Sequence, residues 1–365
     1  MIYLDNGATS FPKLPQVRQA VVKALETCAN PGRGGHAAAM AAAEIVYACR
    51  EQAARLFGCR PEQAVFTASC TQGLNMAIRT LVRPGDAVVV TGFEHNAVTR
   101  PLHGIGADLQ VAGRHLFDWD DTLEQWENAL KKGVKAAVFT HVSNVFGYIL
   151  PVKQMAWLCR QYHVPFIIDG AQSAGILDLD LEELGADFIA MPGHKGLLGP
   201  QGTGILLCGR MPDPLIVGGT GSLSAEQAMP DFLPDGAEAG TLNVPGIAGL
   251  WAGLNYVNRT GVKTIFARQK AQLKVCAAGL EKMGYWVFTG PNQSGTLSFL
   301  PGRDCQEMAN ALSRRGVAVR AGLHCAPLAH ESAGTLSTGT VRVSFGHDAS
   351  RWQTEKFLQI LHGLQ

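Results

Sequence analysis

The chain reads as an α/β protein, with a mostly parallel sheet covered by helices on both faces and a smaller α/β lobe after it. Three observations carry this reading. From Glu62 onward, short β-branched runs alternate with turns and helical stretches, the order that builds parallel sheets. Two apolar runs, 165–169 and 187–191, end in a carboxylate, Asp169, and in Gly193-His194-Lys195, as buried strands do when their carboxyl ends open into a site. The 365 residues, 47% apolar and 17% charged, suffice for a large core and two lobes and argue against extensive disorder.

Taken in order, residues 14–29 form a helix with Val17, Val21, Val22 and Leu25 as one apolar stripe, ended by the loop from Asn30 to Gly35. An Ala-rich helix spans 37–57 and Gly58 closes it. The alternation follows: strand 64–67, helix 72–81, strand 87–91 after the turn Pro84-Gly85-Asp86, and strand 107–111. Helix 121–132 has Asp121 and Glu124 at capping-box spacing. Strand 135–141, helix 152–162 and strand 165–169 continue the pattern, and 204–208 is the strand that returns along the sheet. Residues 211–245, rich in Gly, Pro and Ser, read as ordered loop. Helices 247–259, 262–283, 305–315 and 351–363, with strands 284–289, 294–300, 317–320 and 341–345, make the small lobe. The expected division is a large lobe, 14–250, and a small one, 251–365, joined by 1–13, which lies near the site.

Charge and cysteine content exclude several functions. Lys plus Arg, 31, nearly balances Asp plus Glu, 30, and no charge block stands out, so nucleic-acid and membrane-surface binding have no electrostatic support. The start, MIYLDNGATS, lacks the basic-then-apolar order of a signal peptide, and no apolar run is long enough to span a membrane. Nine cysteines without C-x-x-C spacing fit reduced thiols in the cytoplasm.

The chemistry concentrates between Ile167 and Gly204. A carboxylate and an amine delivered to neighbouring strand ends suit pyridoxal 5'-phosphate (PLP): the amine forms a Schiff base with the aldehyde, and the carboxylate pairs with the pyridinium nitrogen. Asp169-Gly-Ala-Gln-Ser-Ala174 and G-H-K-x-x-x-G-P-x-G-x-G from Gly193 to Gly204 resemble the class V aminotransferase fold and, within it, the SufS-like cysteine desulfurases. So do Y-L-D-N-G-A-T at Tyr3, E-H-N-A at Glu94, H-V-S-N-V-F-G at His141, E-A-G-T at Glu238, R-A-G-L-H-C-A-P at Arg320 and V-R-V-S-F-G at Val341, in this order along nearly the whole chain.

The resemblance implies a fold type I PLP-dependent transferase with a large, seven-stranded type of sheet. It implies that Lys195 carries the cofactor, Asp169 pairs with its ring nitrogen, His95 stacks on the ring, Gln172 donates to the phenolic oxygen, and Asn144 lies near that same edge or the substrate carboxylate. The phosphate falls to Ser69-Cys70-Thr71-Gln72-Gly73, at a strand-to-helix junction, and to His194. Thr241 reaches the cofactor of a second subunit in a homodimer. Arg342 clamps the substrate α-carboxylate, with Arg320 a second candidate, and Arg33 and His36 are expected at the site rim. Cys325 takes sulfur from L-cysteine as a persulfide and passes it to a sulfur-acceptor protein or a free thiol. The chain departs from the family pattern at Cys70 and Gln72, where Thr and Glu are usual, at Pro192 in place of Ser or Thr, at Leu242 in place of Pro and at Leu323 in place of His. Selenocysteine lyase, cysteine-sulfinate desulfinase and other class V lyase or aminotransferase chemistry remain alternatives on these residues.

Overall fold

The computed structural model describes residues 1–32 and 34–364. It opens with β1 (Ile2–Tyr3), α1 (Pro15–Thr27) and α2 (Ala37–Phe57). Pro15 suits the first turn of α1, where a missing N–H costs nothing. The apolar stripe of α1 differs from the expected one. Val17 and Ala24 are buried and Val21 lies over Gly249, whereas Val22 and Leu25 are 53% and 68% exposed. At 3.6 residues per turn, positions 17, 21 and 24 share a face, and 22 and 25 fall off it.

The large sheet is built from β2 (Ala64–Thr67), α3 (Cys70–Leu81), β3 (Ala87–Thr91), α4 (Asn96–Ile105), β4 (Asp108–Ala112), α5 (Trp119–Lys131), β5 (Ala136–Thr140), α6 (Val152–Gln161), β6 (Phe166–Asp169), α7 (Leu181–Leu184), β7 (Phe188–Pro192) and β8 (Gly204–Cys208). Its seven strands run β2-β8-β7-β6-β5-β3-β4. All neighbours are parallel except β8, which is antiparallel to both β7 and β2, the expected returning strand. Alternate residues feed two apolar layers. Val89, Phe139, Ile168 and Ile189 face one, and Val90, Val138, Ile167 and Phe188 the other. That double burial is why these strands read as unbroken apolar runs.

Two helices differ from the sequence expectation. The cap of α5 is Asp118, whose carboxylate accepts from the Asp121 N–H at 3.0 Å, so the helix starts before Asp121. Helix α4 was not read from the sequence. It is ten residues long and carries Pro101 in its interior, which removes one backbone donor and masks the pattern.

The remaining elements are α8 (Val244–Thr260), α9 (Val262–Lys282), β9 (Trp286–Phe288), β10 (Thr296–Leu300), α10 (Cys305–Arg314), β11 (Val317–Ala318), β12 (Arg320–Gly322), α11 (Pro327–Ser332), β13 (Thr340–Ser344) and α12 (Arg351–His362). A four-stranded antiparallel sheet, β12-β13-β10-β9, packs around Leu297, Phe299, Val341, Val343 and Phe357. The expected single strand 317–320 is two strands in two sheets: β11 pairs with β1, and β12 pairs with β13. Position 250 falls inside α8, whose buried face continues to Leu254 within the large-sheet core. The N-terminal segment links the sheets. Ser344 N–H donates to Leu4 O at 2.8 Å, and Ser10 N–H to His194 O at 2.9 Å.

Candidate active site

The strand order turns back between β4 and β5, on either side of β3, and ligands in such sheets sit beyond the carboxyl ends of the strands. There β3 delivers His95, β5 leads to Asn144, β6 ends in Asp169 and β7 leads to Lys195. These four side chains line one cavity of about 260 Å³. Cys70, Thr71, Gln172, His194, Arg320, Cys325 and Arg342 line it too. Its volume lies near the lower end of the range, about 300–1,000 Å³, usual for small-molecule pockets.

The floor is buried. Asp169 is 3% exposed, and its Oδ1 accepts from the Ala171 N–H at 2.9 Å and from the Cys70 thiol at 3.6 Å. Among the described residues, both of these bonds fall on Oδ1. Burial pushes the Lys195 ammonium below its ordinary value; Arg342 and Arg320 push the same way, and Asp169 and Cys70 oppose them. The amine is therefore more readily neutral, as a nucleophile or a base must be. His95 caps α4: its Nδ1 accepts from the Ala97 N–H at 2.9 Å, and burial lowers its pKa. With Nδ1 accepting, the neutral ring carries its proton on Nε2.

Three of these side chains have partners within the chain. The Cys70 thiol faces Asp169, so what this position offers an anion is its backbone N–H at the first turn of α3, where Ser69 is the cap. Gln172 spends one amide hydrogen on Gly7 O at 3.0 Å. The His194 Nδ1 lies 3.1 Å from Thr9 Oγ1, and burial lowers its pKa to about 4.

Arg342 is 2% exposed and held on two sides. One Nη donates to Asn144 O at 3.0 Å, and the other pairs with Asp5 Oδ1 at 2.6 Å. Its Nε and the Oδ1 of Asn144 have no protein partner although buried. Unpaired polar atoms at a cavity wall are costly unless a ligand meets them. Gly7 sits against this guanidinium; a Cβ there would come within 3.2 Å of Arg342 Cζ. Arg320 stands exposed at the rim, at the start of β12.

Cys325 is the exposed cysteine of the site. His324 and Cys325 both adopt left-handed backbone, with φ of 50° and 57°. That conformation costs an ordinary residue about 1–2 kcal/mol, so the loop must be held from outside. Asn144 Nδ2 donates to His324 O, and the Asn96 N–H donates to Cys325 O, each at 2.7 Å.

Two predicted residues do not join this cavity within one chain. Thr241 lines a separate cavity of about 530 Å³ with Arg50 and Glu238, and His36 is the exposed N-cap of α2. Arg33 lies outside the described residues. The sequence reading also missed Asp5, Lys13 and Glu94. Asp5 stands in the noted Y-L-D-N-G-A-T stretch, but its pairing with Arg342 spans 337 positions and leaves no local signal. Lys13 donates to His194 O at 3.0 Å, and burial lowers its pKa to about 8. Glu94 is fully buried below His95, accepting from Thr91 Oγ1 at 2.6 Å and the Thr140 N–H at 3.0 Å, and burial raises its pKa to about 8.

Residues 2–357 match the family described as aminotransferase class-V. The chain belongs to the class-V aminotransferase family. It is 32% identical to a probable cysteine desulfurase of Methanothermobacter thermautotrophicus, over 99% of this chain and 92% of that one. The solved apo structure of a cysteine desulfurase from Thermococcus onnurineus superposes with a TM-score of 0.90 at 30% identity, covering 100% of this chain and 94% of the other. A cysteine desulfurase from Escherichia coli, at 24% identity and a TM-score of 0.83 over 99% of this chain and 93% of its own, shares the fold. Among the described residues, no group of three or more His, Cys, Asp or Glu could hold a metal ion, and no helix is long and apolar enough to cross a membrane.

Proposed function

We propose that this class-V aminotransferase family member is a PLP-dependent cysteine desulfurase, which takes the sulfur of L-cysteine onto Cys325 and releases alanine. One observation carries the reading: a buried amine, a buried carboxylate and an exposed thiol converge on one cavity. The similarity to cysteine desulfurases over nearly the whole chain supports it.

The residues fit the cofactor. Lys195 offers the amine, Asp169 its carboxylate for a ring N–H, and His95 a flat face. The first turn of α3, with Thr71, offers donors for a phosphate. When bound, PLP supplies the electron sink that lets the substrate Cα lose its proton.

The chain's own residues do the rest. Arg342 binds the α-carboxylate, and its unpaired Nε points to a remaining donor for that purpose. Lys195, with its lowered pKa, takes the Cα proton and later returns one. The Cys325 thiolate attacks the substrate sulfur. An S–S bond forms, the Cβ–S bond breaks, and its electron pair stays with the carbon fragment, which is protonated and leaves as alanine. Cys325 is left as a persulfide, within reach of an acceptor because its side of the loop is open. Thr241, outside this cavity, is assigned to the cofactor of a second copy in a homodimer, which mixing a Lys195 variant with a Thr241 variant tests by restored activity. The test of the main reading is mass spectrometry after L-cysteine is added to the PLP-loaded protein: one extra sulfur on the peptide with Cys325, and alanine in solution. Alanine without added sulfur on Cys325 would point to another lyase chemistry.

A further inference from the structure

The mechanism uses Cys325 but leaves the buried histidine before it without a task. His324 is 6% exposed, its ring stacks against His330 at 5.8 Å, and its Nε2 lies 3.2 Å from Thr340 Oγ1. Thr340 Oγ1 donates to Ser298 Oγ at 3.1 Å, and Ser298 Oγ donates to Val145 O at 2.7 Å. The carbonyl at the far end can only accept. The Ser298 proton is spent on it, and the Thr340 proton is spent on Ser298. Thr340 Oγ1 therefore accepts from His324, and the proton of the neutral imidazole sits on Nε2. Nδ1 is a bare, buried nitrogen without a partner. Burial lowers the pKa of this ring to about 2, so it stays neutral.

These bonds close a ring. Asn144 Nδ2 donates to His324 O, and the relay from His324 returns to Val145, the residue after Asn144. Arg342 holds the intervening carbonyl, Asn144 O. We propose that His324, tied through Thr340 and Ser298 to the 144–145 backbone, is a positioning residue that fixes Cys325 in its left-handed turn above the substrate. The N–H is spent on Thr340 in the small sheet, and the bare Nδ1 is buried in a ring whose pKa burial lowers to about 2, so the ring is a poor acceptor for the thiol proton. Its contribution is geometric: it keeps the nucleophile in register with the groups that bind substrate.

The inference rests on the desulfurase reading for its consequence but not for its structure, and the test separates the two. Thr340→Val removes the hydroxyl and keeps the β-branched strand shape; Thr340→Ser keeps the hydroxyl. The first readout needs no activity. Hydrogen exchange of the Asn96 amide, which donates to Cys325 O, should be at least about tenfold faster in Thr340→Val and near parental in Thr340→Ser. The second readout uses PLP-loaded enzyme: Thr340→Val should slow persulfide formation on Cys325 about tenfold or more, while exchange of the L-cysteine Cα proton with solvent keeps its rate. Equal Asn96 exchange in the two variants overturns the proposal. So does a loss of Cα exchange that matches the loss of persulfide, because that is general damage to the site. If the parent forms no persulfide but Asn96 exchange still splits the variants, the loop assignment stands and the desulfurase reading falls.

Discussion

The floor and the lip of the cavity solve opposite problems. The floor, Asp169 and Lys195, sits at the ends of adjacent parallel strands that are buried throughout. Burial there lowers the pKa of the amine, and the bonds to the carboxylate from Ala171 and Cys70 both fall on Oδ1. The lip, His324 and Cys325, is a short loop in strained backbone, open to solvent at the thiol and fixed by bonds to Asn96, Asn144 and Thr340. A group that must change protonation gains from low dielectric. A group that must hand its product to another molecule cannot be buried, so its geometry has to come from hydrogen bonds instead of packing.

The largest effect is expected at the floor. Lys195→Ala should lower turnover by about 10⁴-fold, the upper range for a positioned acid–base group. Borohydride reduction of the parent loaded with PLP, followed by peptide mapping, should place the label on Lys195. A label on another lysine would break the division between floor and lip.

The next effect belongs to the lip. Cys325→Ser should reduce alanine release from L-cysteine by more than about 100-fold, because a hydroxyl is a far weaker nucleophile toward sulfur than a thiolate. Exchange of the Cα proton should survive, since the floor is untouched. Parental desulfuration by Cys325→Ser would remove the persulfide step. Arg342→Lys tests the wall between the two regions. Lys cannot reproduce bonds to Asn144 O and Asp5 and still offer a planar fork, so KM for L-cysteine should rise roughly 10- to 100-fold, the worth of a hydrogen bond between charged groups. An unchanged KM would place the carboxylate on Arg320.

The two regions were also unequally legible in the sequence. The floor strands could be read because each is a contiguous apolar run followed by its functional residue, and the seven-stranded, mostly parallel sheet followed from their alternation with helices and from the family resemblance. Cys325 was legible only as part of a motif. Nothing local announces that its loop is left-handed or that residue 340 supports it. Asp5 escaped for the same reason, as its partner is Arg342. The inward turn of the Cys70 thiol to Asp169 was not legible either, because a place at a helix start announces only the backbone contact. Helix α4 was hidden by Pro101. What was missed depends on contacts between distant segments, which periodicity does not record.

The smallest effect concerns Glu94, which joins the ends of β3 and β5 beneath His95. Its carboxyl is fully buried, and burial raises its pKa to about 8, against 4.5 for the unperturbed group. The sign follows from proton counting. Between pH 4.5 and 8 the folded chain holds a proton here that the unfolded chain has lost. Stability from this group is therefore fully present below the unfolded pKa, falls as pH rises through the window, and is lost above the folded pKa, at up to about 1.4 kcal/mol per pH unit. Glu94→Gln keeps an oxygen to accept from Thr91 and Thr140 and cannot ionise. The variant should lose a little stability at pH 5, where its NH₂ is buried without an acceptor, and should show a flatter decline toward pH 8 than the parent. Urea midpoints at several pH values, with unchanged slopes, measure this. Parallel declines in the two proteins would mean that Glu94 is charged in the folded state, and that the floor under His95 holds a buried carboxylate instead of a neutral acid.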